Sequence, residues 1–136
     1  MVLSQFQSHL QPNCPLLEKV VLSAIVNKIN KRTKKQERTL LITNKAIYNV
    51  DSQGLLSFLG SSVKRKIDFM KIHGITVSEI SNEFVIHVPS EYDYRYSSND
   101  KRDLILLLIT KYFYESVPTR KLVFYFKVKQ TYAVLV

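Results

Sequence analysis

Between Lys28 and Arg38 the chain reads KINKRTKKQER, and six of these eleven residues are basic: Lys28, Lys31, Arg32, Lys34, Lys35 and Arg38. Only Glu37 opposes them. Ammonium and guanidinium groups at this density attract polyanions, whether phosphoinositide head groups, acidic protein surfaces or nucleic acid. The run lies between VVLSAIV and TLLIT, two apolar segments that read as strands, so it is expected as a charged loop mounted on a hairpin. A solvated loop that holds no ligand is the plain alternative. Lys45, Lys64, Arg65 and Lys66 add further cations if they share the same rim, and Lys45, Lys64 and Lys66 are taken into the candidate site with the run.

Other chemistry has little to build on. His9, His73 and His87 stand at no metal-ligand spacing from one another or from a cysteine, and no cofactor is expected. His87 reads as a solvent-facing or hydrogen-bonded strand histidine and His73 as part of a turn. Cys14 is the only cysteine, so an intrachain disulfide is excluded; it has no basic neighbour closer than Lys19 and reads as an inert thiol. Three glycines leave no room for a GxGxxG, GxSxG or phosphate-loop motif. An enzyme is not expected. Tyr92, Tyr94 and Tyr96 alternate with Glu91, Asp93 and Arg95; aromatic alternation can stack bases, but the acidic flanks argue against nucleic acid.

The charge is unevenly placed. Of the net +9, residues 1–71 hold twelve Lys and Arg against four acids, and residues 72–136 hold eight against seven. An anion-facing surface in the first half follows. At 136 residues and 46% apolar composition the chain makes one globular domain with a real core. No secretory signal is apparent, no stretch reaches the roughly twenty apolar residues of a bilayer span, and any membrane contact is expected to be peripheral.

The elements that position the cations read as follows. Residues 1–17, interrupted by Pro12 and Pro15, form an irregular lead-in, and 18–136 the domain. Strands are expected at Lys19–Ile29, Thr39–Thr43 and Ala46–Val50, with a tight turn at Asn44-Lys45. Residues 51–62 form a loop whose Leu55, Leu56, Phe58 and Leu59 are expected to be at least half buried, by the domain or by a protein partner. Val63–Phe69, Gly74–Ser78 and Glu83–Val88 are further strands, and EYDYRYSS is a hydrogen-bonded tyrosine turn. A helix follows at 100–115, capped by Asp100, with Asp103 in its first turn and Leu104, Leu107, Leu108, Lys111 and Tyr112 on one stripe that faces the sheet. Lys121–Val128 and Thr131–Val136 are strands. The fold class is α+β, mainly β: a curved antiparallel sheet or barrel of about seven strands closed by one late helix.

This order of motifs resembles the first tail-homology region of class I myosins, with its pleckstrin-homology-like fold, here without a motor domain. The pieces that carry the resemblance are VNKINKRTKKQERTLLITNKAIYNVD, VKRKIDFMKIHGITVSEISNEFVIHVPSEYDYRYSS, DKRDLILLLITKYF and KLVFYFKV, together roughly residues 18–136. The resemblance implies contact with inositol phosphates from a basic residue late in the first strand and a basic pair at the start of the second. These fall on Lys28 and Arg38. The family's pattern has a second basic residue two before Arg38, where this chain has Gln36. The function expected is a non-catalytic peripheral module that recognises anionic phospholipids or phosphoinositides; the alternative is a pleckstrin-like scaffold in a cytoskeletal or ciliary assembly, its basic loop facing an acidic protein surface. Both place the chain in the cytoplasm, peripheral to membrane or cytoskeleton.

Overall fold

In the computed structural model the described residues are 17–51, 63–128 and 131–135. Nine strands form one sheet: β1 (Val20–Ile29), β2 (Lys35–Thr43), β3 (Ala46–Asp51), β4 (Val63–Asp68), β5 (Gly74–Ser78), β6 (Glu83–His87), β7 (Asp93–Ser97), β8 (Val123–Val128) and β9 (Thr131–Leu135). Among the described residues one helix, α1 (Arg102–Ser116), lies between β7 and β8, and one 3-10 turn spans Phe69–Lys71. The strand order is β4-β3-β2-β1-β7-β6-β5-β8-β9, so β4 and β9 are its two edges and the sheet is curved but not closed.

The expected curved sheet with one late helix is present. Four details differ. First, β2 starts at Lys35 rather than Thr39, because Ile29 and Lys28 pair with Lys35 and Gln36. The basic run is therefore mostly strand, and its loop is only residues 30–34. Second, EYDYRYSS contributes strand β7. Tyr94 and Tyr96 point inward and are fully buried, while Asp93 and Arg95 point outward. The polar residues that read as a turn are the outer half of a strand alternation.

Third, the sheet is not wholly antiparallel. β5 and β8 pair in parallel, Gly74 beside Val123 through Ser78 beside Lys127, because the chain passes through β6, β7 and α1 before returning to the β5 edge. Gly74 permits this approach: a Cβ there would sit 2.6 Å from the Val123 carbonyl oxygen.

Fourth, the helix presents a different face. Ile105, Leu106, Ile109 and Phe113 enter the core, whereas Leu107 is 65% exposed and Leu104 is also exposed. Leu108 and Tyr112 are half-buried at the edge of the seam. The run LILLLI has apolar residues on two adjacent faces, and the inner one holds the β-branched Ile105 and Ile109 with Phe113. Asp100 does not cap α1. Lys101 precedes the helix in an already helical conformation, and its N–H donates to Ser98 Oγ at 3.0 Å.

The main core gathers the inward residues of β1–β7, among them Ala24, Val26, Leu40, Ile42, Ile67, Phe84 and Ile86, against the helix. A smaller cluster of Leu41, Ala46, Tyr48 and Val50 lies on the other side of β2 and β3. The residues just before β1 are tied to this side. The Glu18 carboxylate accepts hydrogen bonds from the Thr43 and Tyr48 hydroxyls, and Asn44 bonds the backbone of Leu17 and Lys19. Leu55, Leu56, Phe58 and Leu59 lie outside the described residues.

A candidate anion-binding mouth

Asn30 builds the tip of the first hairpin. Its N–H donates to the Lys34 carbonyl, its own carbonyl accepts from Thr33 N–H, and its Oδ1 accepts from the N–H groups of Arg32 and Lys34, both at 2.9 Å. Thr33 takes φ +63°, the only non-glycine residue with positive φ among those described. The N–H groups of Asn30, Arg32, Thr33 and Lys34 are thus bonded within the tip, and the side chains of Lys31, Arg32, Lys34 and Lys35 are exposed.

Strand alternation then sorts the remaining cations by face. Lys28 follows Ala24 and Val26 on the inner side of β1, Arg38 precedes Leu40 and Ile42 on the inner side of β2, and Arg65 precedes Ile67 on the inner side of β4. These three face the open end of the sheet, where Lys28 and Arg65 approach the ring of Tyr92, which the β6–β7 connection supplies. Lys28 Nζ lies 5.8 Å from the Tyr92 ring centre and Arg65 Cζ 5.2 Å from it. Arg38 folds along its own strand, donating to the Glu37 carbonyl at 2.9 Å and to Gln36 Oε1 at 3.4 Å.

Beneath them lies Tyr96. Burial pushes its hydroxyl well above the usual phenol range and the neighbouring Tyr92 adds to the shift, while the nearby Arg38 guanidinium partly offsets it. The Tyr96 hydroxyl and Asn49 Oδ1, which belongs to the residue opposite Arg65, are buried without a hydrogen-bond partner.

Among the described residues Lys28, Lys31, Arg32, Lys34, Lys35, Arg38 and Arg65 make no ion pair, whereas Lys64 reaches Asp51 at 4.0 Å and Lys66 reaches Asp68 at 3.7 Å. Lys66 is on the outer face over Tyr48, 5.9 Å from its ring centre. Lys45 is at the opposite end of the β2–β3 hairpin, beside a hollow lined by Phe69, Met70 and Val117. The rim expected from sequence is therefore divided: Lys28, Lys31, Arg32, Lys34, Lys35 and Arg38 share one end, Lys64 and Lys66 are paired with carboxylates, and Lys45 is remote. Arg65 belongs with the first group, and its position two residues before the buried Ile67 is the signal for its face.

A second polar array sits on the outer face of β5–β7. Thr76 Oγ1 is 2.6 Å from His87 Nε2, and His87 Nδ1 is 2.8 Å from Asp93 Oδ1. The order hydroxyl–imidazole–carboxylate is that of nucleophilic hydrolases, but Thr76 is only 3% exposed. The array cross-links three strands. No cluster of three or more His, Cys, Asp or Glu suited to a metal occurs among the described residues.

Over residues 3–134 the sequence matches the family described as the unconventional myosin tail, actin- and lipid-binding. The chain belongs to that family. Myosin IA heavy chain of Dictyostelium discoideum is 37% identical over 109 residues, which cover 78% of this chain and 11% of that protein. Myosin IB heavy chain of the same organism is 31% identical over 97 residues, covering 71% of this chain and 9% of that one. The tail segment seen here thus spans about a tenth of the length of these relatives. Its fold is that of pleckstrin-homology domains: the N-terminal PH domain of human ARAP2 superposes with a TM-score of 0.59 at 14% identity, covering 74% of this chain and 84% of that domain. The Linker-DH/PH domains of p115-RhoGEF give the same TM-score at 13% identity, over 83% of this chain and 36% of that one. The family is a non-catalytic tail module. The family description also names actin, for which the residues carry no separate motif, and nothing among these relatives points to a cilium.

Proposed function

We propose that this myosin tail domain is a peripheral membrane-binding module that holds anionic phospholipid head groups at the open end of its sheet. The observation that carries the reading is the set of seven cations at that end without an ion pair among the described residues, three of them on the inner side of their strands and two of these, Lys28 and Arg65, at Tyr92. An anionic leaflet contributes roughly 1 kcal/mol for each Lys or Arg held near it, so several acting together give salt-sensitive binding. Among the described residues no helix is long and apolar enough to cross a membrane, and the proposed contact is peripheral.

Head-group selection is proposed to follow charge rather than stereochemistry. Gln36 stands where a further cation would complete a clamp, Arg38 is tied back along its own strand, and four N–H groups of the tip, those of Asn30, Arg32, Thr33 and Lys34, are bonded within it. Co-sedimentation with vesicles tests this: neutral phosphatidylcholine, phosphatidylserine mixtures, and phosphoinositide mixtures matched to them in total charge, each at low and raised salt. Binding is expected to be equal on the two charge-matched sets, absent on neutral vesicles and weakened by salt. Failure to bind anionic vesicles at low salt rejects the module, and binding to phosphoinositide alone rejects selection by charge.

A second reading is favoured by the family's actin-binding description. In it the same cations face an acidic surface of a cytoskeletal protein, and co-sedimentation with actin filaments in the absence of lipid separates the two.

A further inference from the structure

The hairpin tip holds one residue whose type does not suit its backbone. At φ +63° a glycine or asparagine is at ease, while a β-branched residue meets its own Cβ substituents. Thr33 occupies that position. What threonine brings there, and glycine does not, is a hydroxyl, and that hydroxyl is doing little: it donates only to the carbonyl of the preceding Arg32. It is also the only hydroxyl between Lys28 and Arg38. Residues 31–37 are all exposed, so a second macromolecule can reach it.

The surroundings specify what would read it. Lys31 and Arg32 immediately precede Thr33, Lys28 lies further back and Lys34 and Lys35 follow. A protein kinase with an acidic substrate groove is complementary to such a sequence. We propose that Thr33 is a phosphorylation site for a basic-directed protein kinase and that its phosphate turns off the mouth's hold on anions. In the reaction Thr33 Oγ1 attacks the γ-phosphorus of ATP, the bond from that phosphorus to the ADP oxygen breaks, and the hydroxyl proton passes to the kinase's base. The product carries close to two negative charges at neutral pH and three acceptor oxygens. Placed among Lys31, Arg32, Lys34 and Lys35, that group pairs with the same cations that would otherwise face the leaflet. The effect on lipid rests on the function proposed above; the modification itself does not.

Two measurements keep these apart. Folded protein is incubated with ATP and the catalytic subunit of cyclic-AMP-dependent protein kinase, and phosphate is located by mass spectrometry. Incorporation at Thr33 is expected, with none there in Thr33→Asn, a substitution that keeps the left-handed turn. Protein with genetically encoded phosphothreonine at 33 is then compared with unmodified protein and Thr33→Asn on phosphatidylserine vesicles. At about fivefold per unit charge the phosphate should weaken binding by about 10- to 30-fold, and Thr33→Asn should bind as the unmodified protein does. Absence of phosphate at Thr33 overturns the site. Equal binding of phosphorylated and unmodified protein overturns the switch while leaving the lipid module intact. If unmodified protein ignores the vesicles, the lipid module fails and the switch falls with it, and the mass spectrum still decides the site.

Discussion

Arg65 and Lys66 are neighbours on β4 and carry the same charge, but their side chains leave opposite faces of the sheet. Neutralising either, as Arg65→Gln or Lys66→Gln, lowers the net charge by one. If the net field alone governed attachment, the two losses would match. The geometry says otherwise at physiological salt. Arg65 lies over Tyr92 at the mouth without an ion pair, whereas Lys66 lies over Tyr48 and beside Asp68, 3.7 Å away. Their charged ends lie on opposite faces of the sheet, and the Debye length is about 8 Å at 0.15 M salt, so a head group held near Arg65 feels Lys66 weakly. Arg65→Gln should therefore weaken vesicle binding about fivefold, from roughly 1 kcal/mol, and Lys66→Gln less than twofold. At 0.01 M salt the Debye length grows to about 30 Å and the two variants should converge. Co-sedimentation on phosphatidylserine vesicles at both salt concentrations measures this, with denaturant unfolding to confirm that both variants are folded. Equal losses at 0.15 M would refute the assignment of the mouth to the inner face.

Two further outcomes are expected. Ile109→Asp should destabilise the domain by about 3 kcal/mol or more in urea unfolding, because it buries a carboxylate among apolar side chains, while Leu107→Asp, on the exposed face of α1, should shift stability by less than about 1 kcal/mol. On the alkaline side, burial first and then the neighbouring carboxylates Glu18 and Glu91 hold the hydroxyls of Tyr48 and Tyr94 above the usual phenol range, and Tyr96 is raised chiefly by burial. A phenol whose folded value exceeds its unfolded one stabilises the fold fully below about pH 10 and loses that contribution as pH rises further. Absorbance at the phenolate band should show these three titrating later than exposed tyrosines and together with unfolding; titration alongside the exposed tyrosines in folded protein would contradict the burial.

Much of the architecture was legible because β-branched alternation and a late apolar run constrain it strongly. What escaped did so for identifiable reasons. EYDYRYSS has the polarity of a turn, and cross-strand pairing, of Tyr94 with Ile86 and Tyr96 with Phe84 on one side and of Tyr96 with Lys28 on the other, makes it a strand. In LILLLI both candidate faces are apolar, so period alone could not choose between Leu104 with Leu107 and Ile105 with Ile109. In the proposed site, Lys28 and Arg38 stand out by position along the hairpin. Arg65 was passed over for Lys64 and Lys66, although Ile67, as a buried neighbour, fixes its side of the strand. Lys45 was grouped with the rim by charge, although successive turns of an antiparallel meander fall at opposite ends. The tip geometry centred on Asn30 could not be read from a run whose dominant signal is charge.

The parallel pairing of β5 with β8 also has a bearing on synthesis. As the chain emerges from the ribosome, β5 finds β6 almost at once, yet its other edge stays open until α1 and Val123 have followed. At about 5–20 residues per second that interval lasts several seconds. During it the row of N–H and C=O groups along Gly74–Ser78 is available to any other extended segment. Release of a nascent chain before Val128 would leave that edge bare, so truncation there should yield aggregates rather than a smaller folded domain.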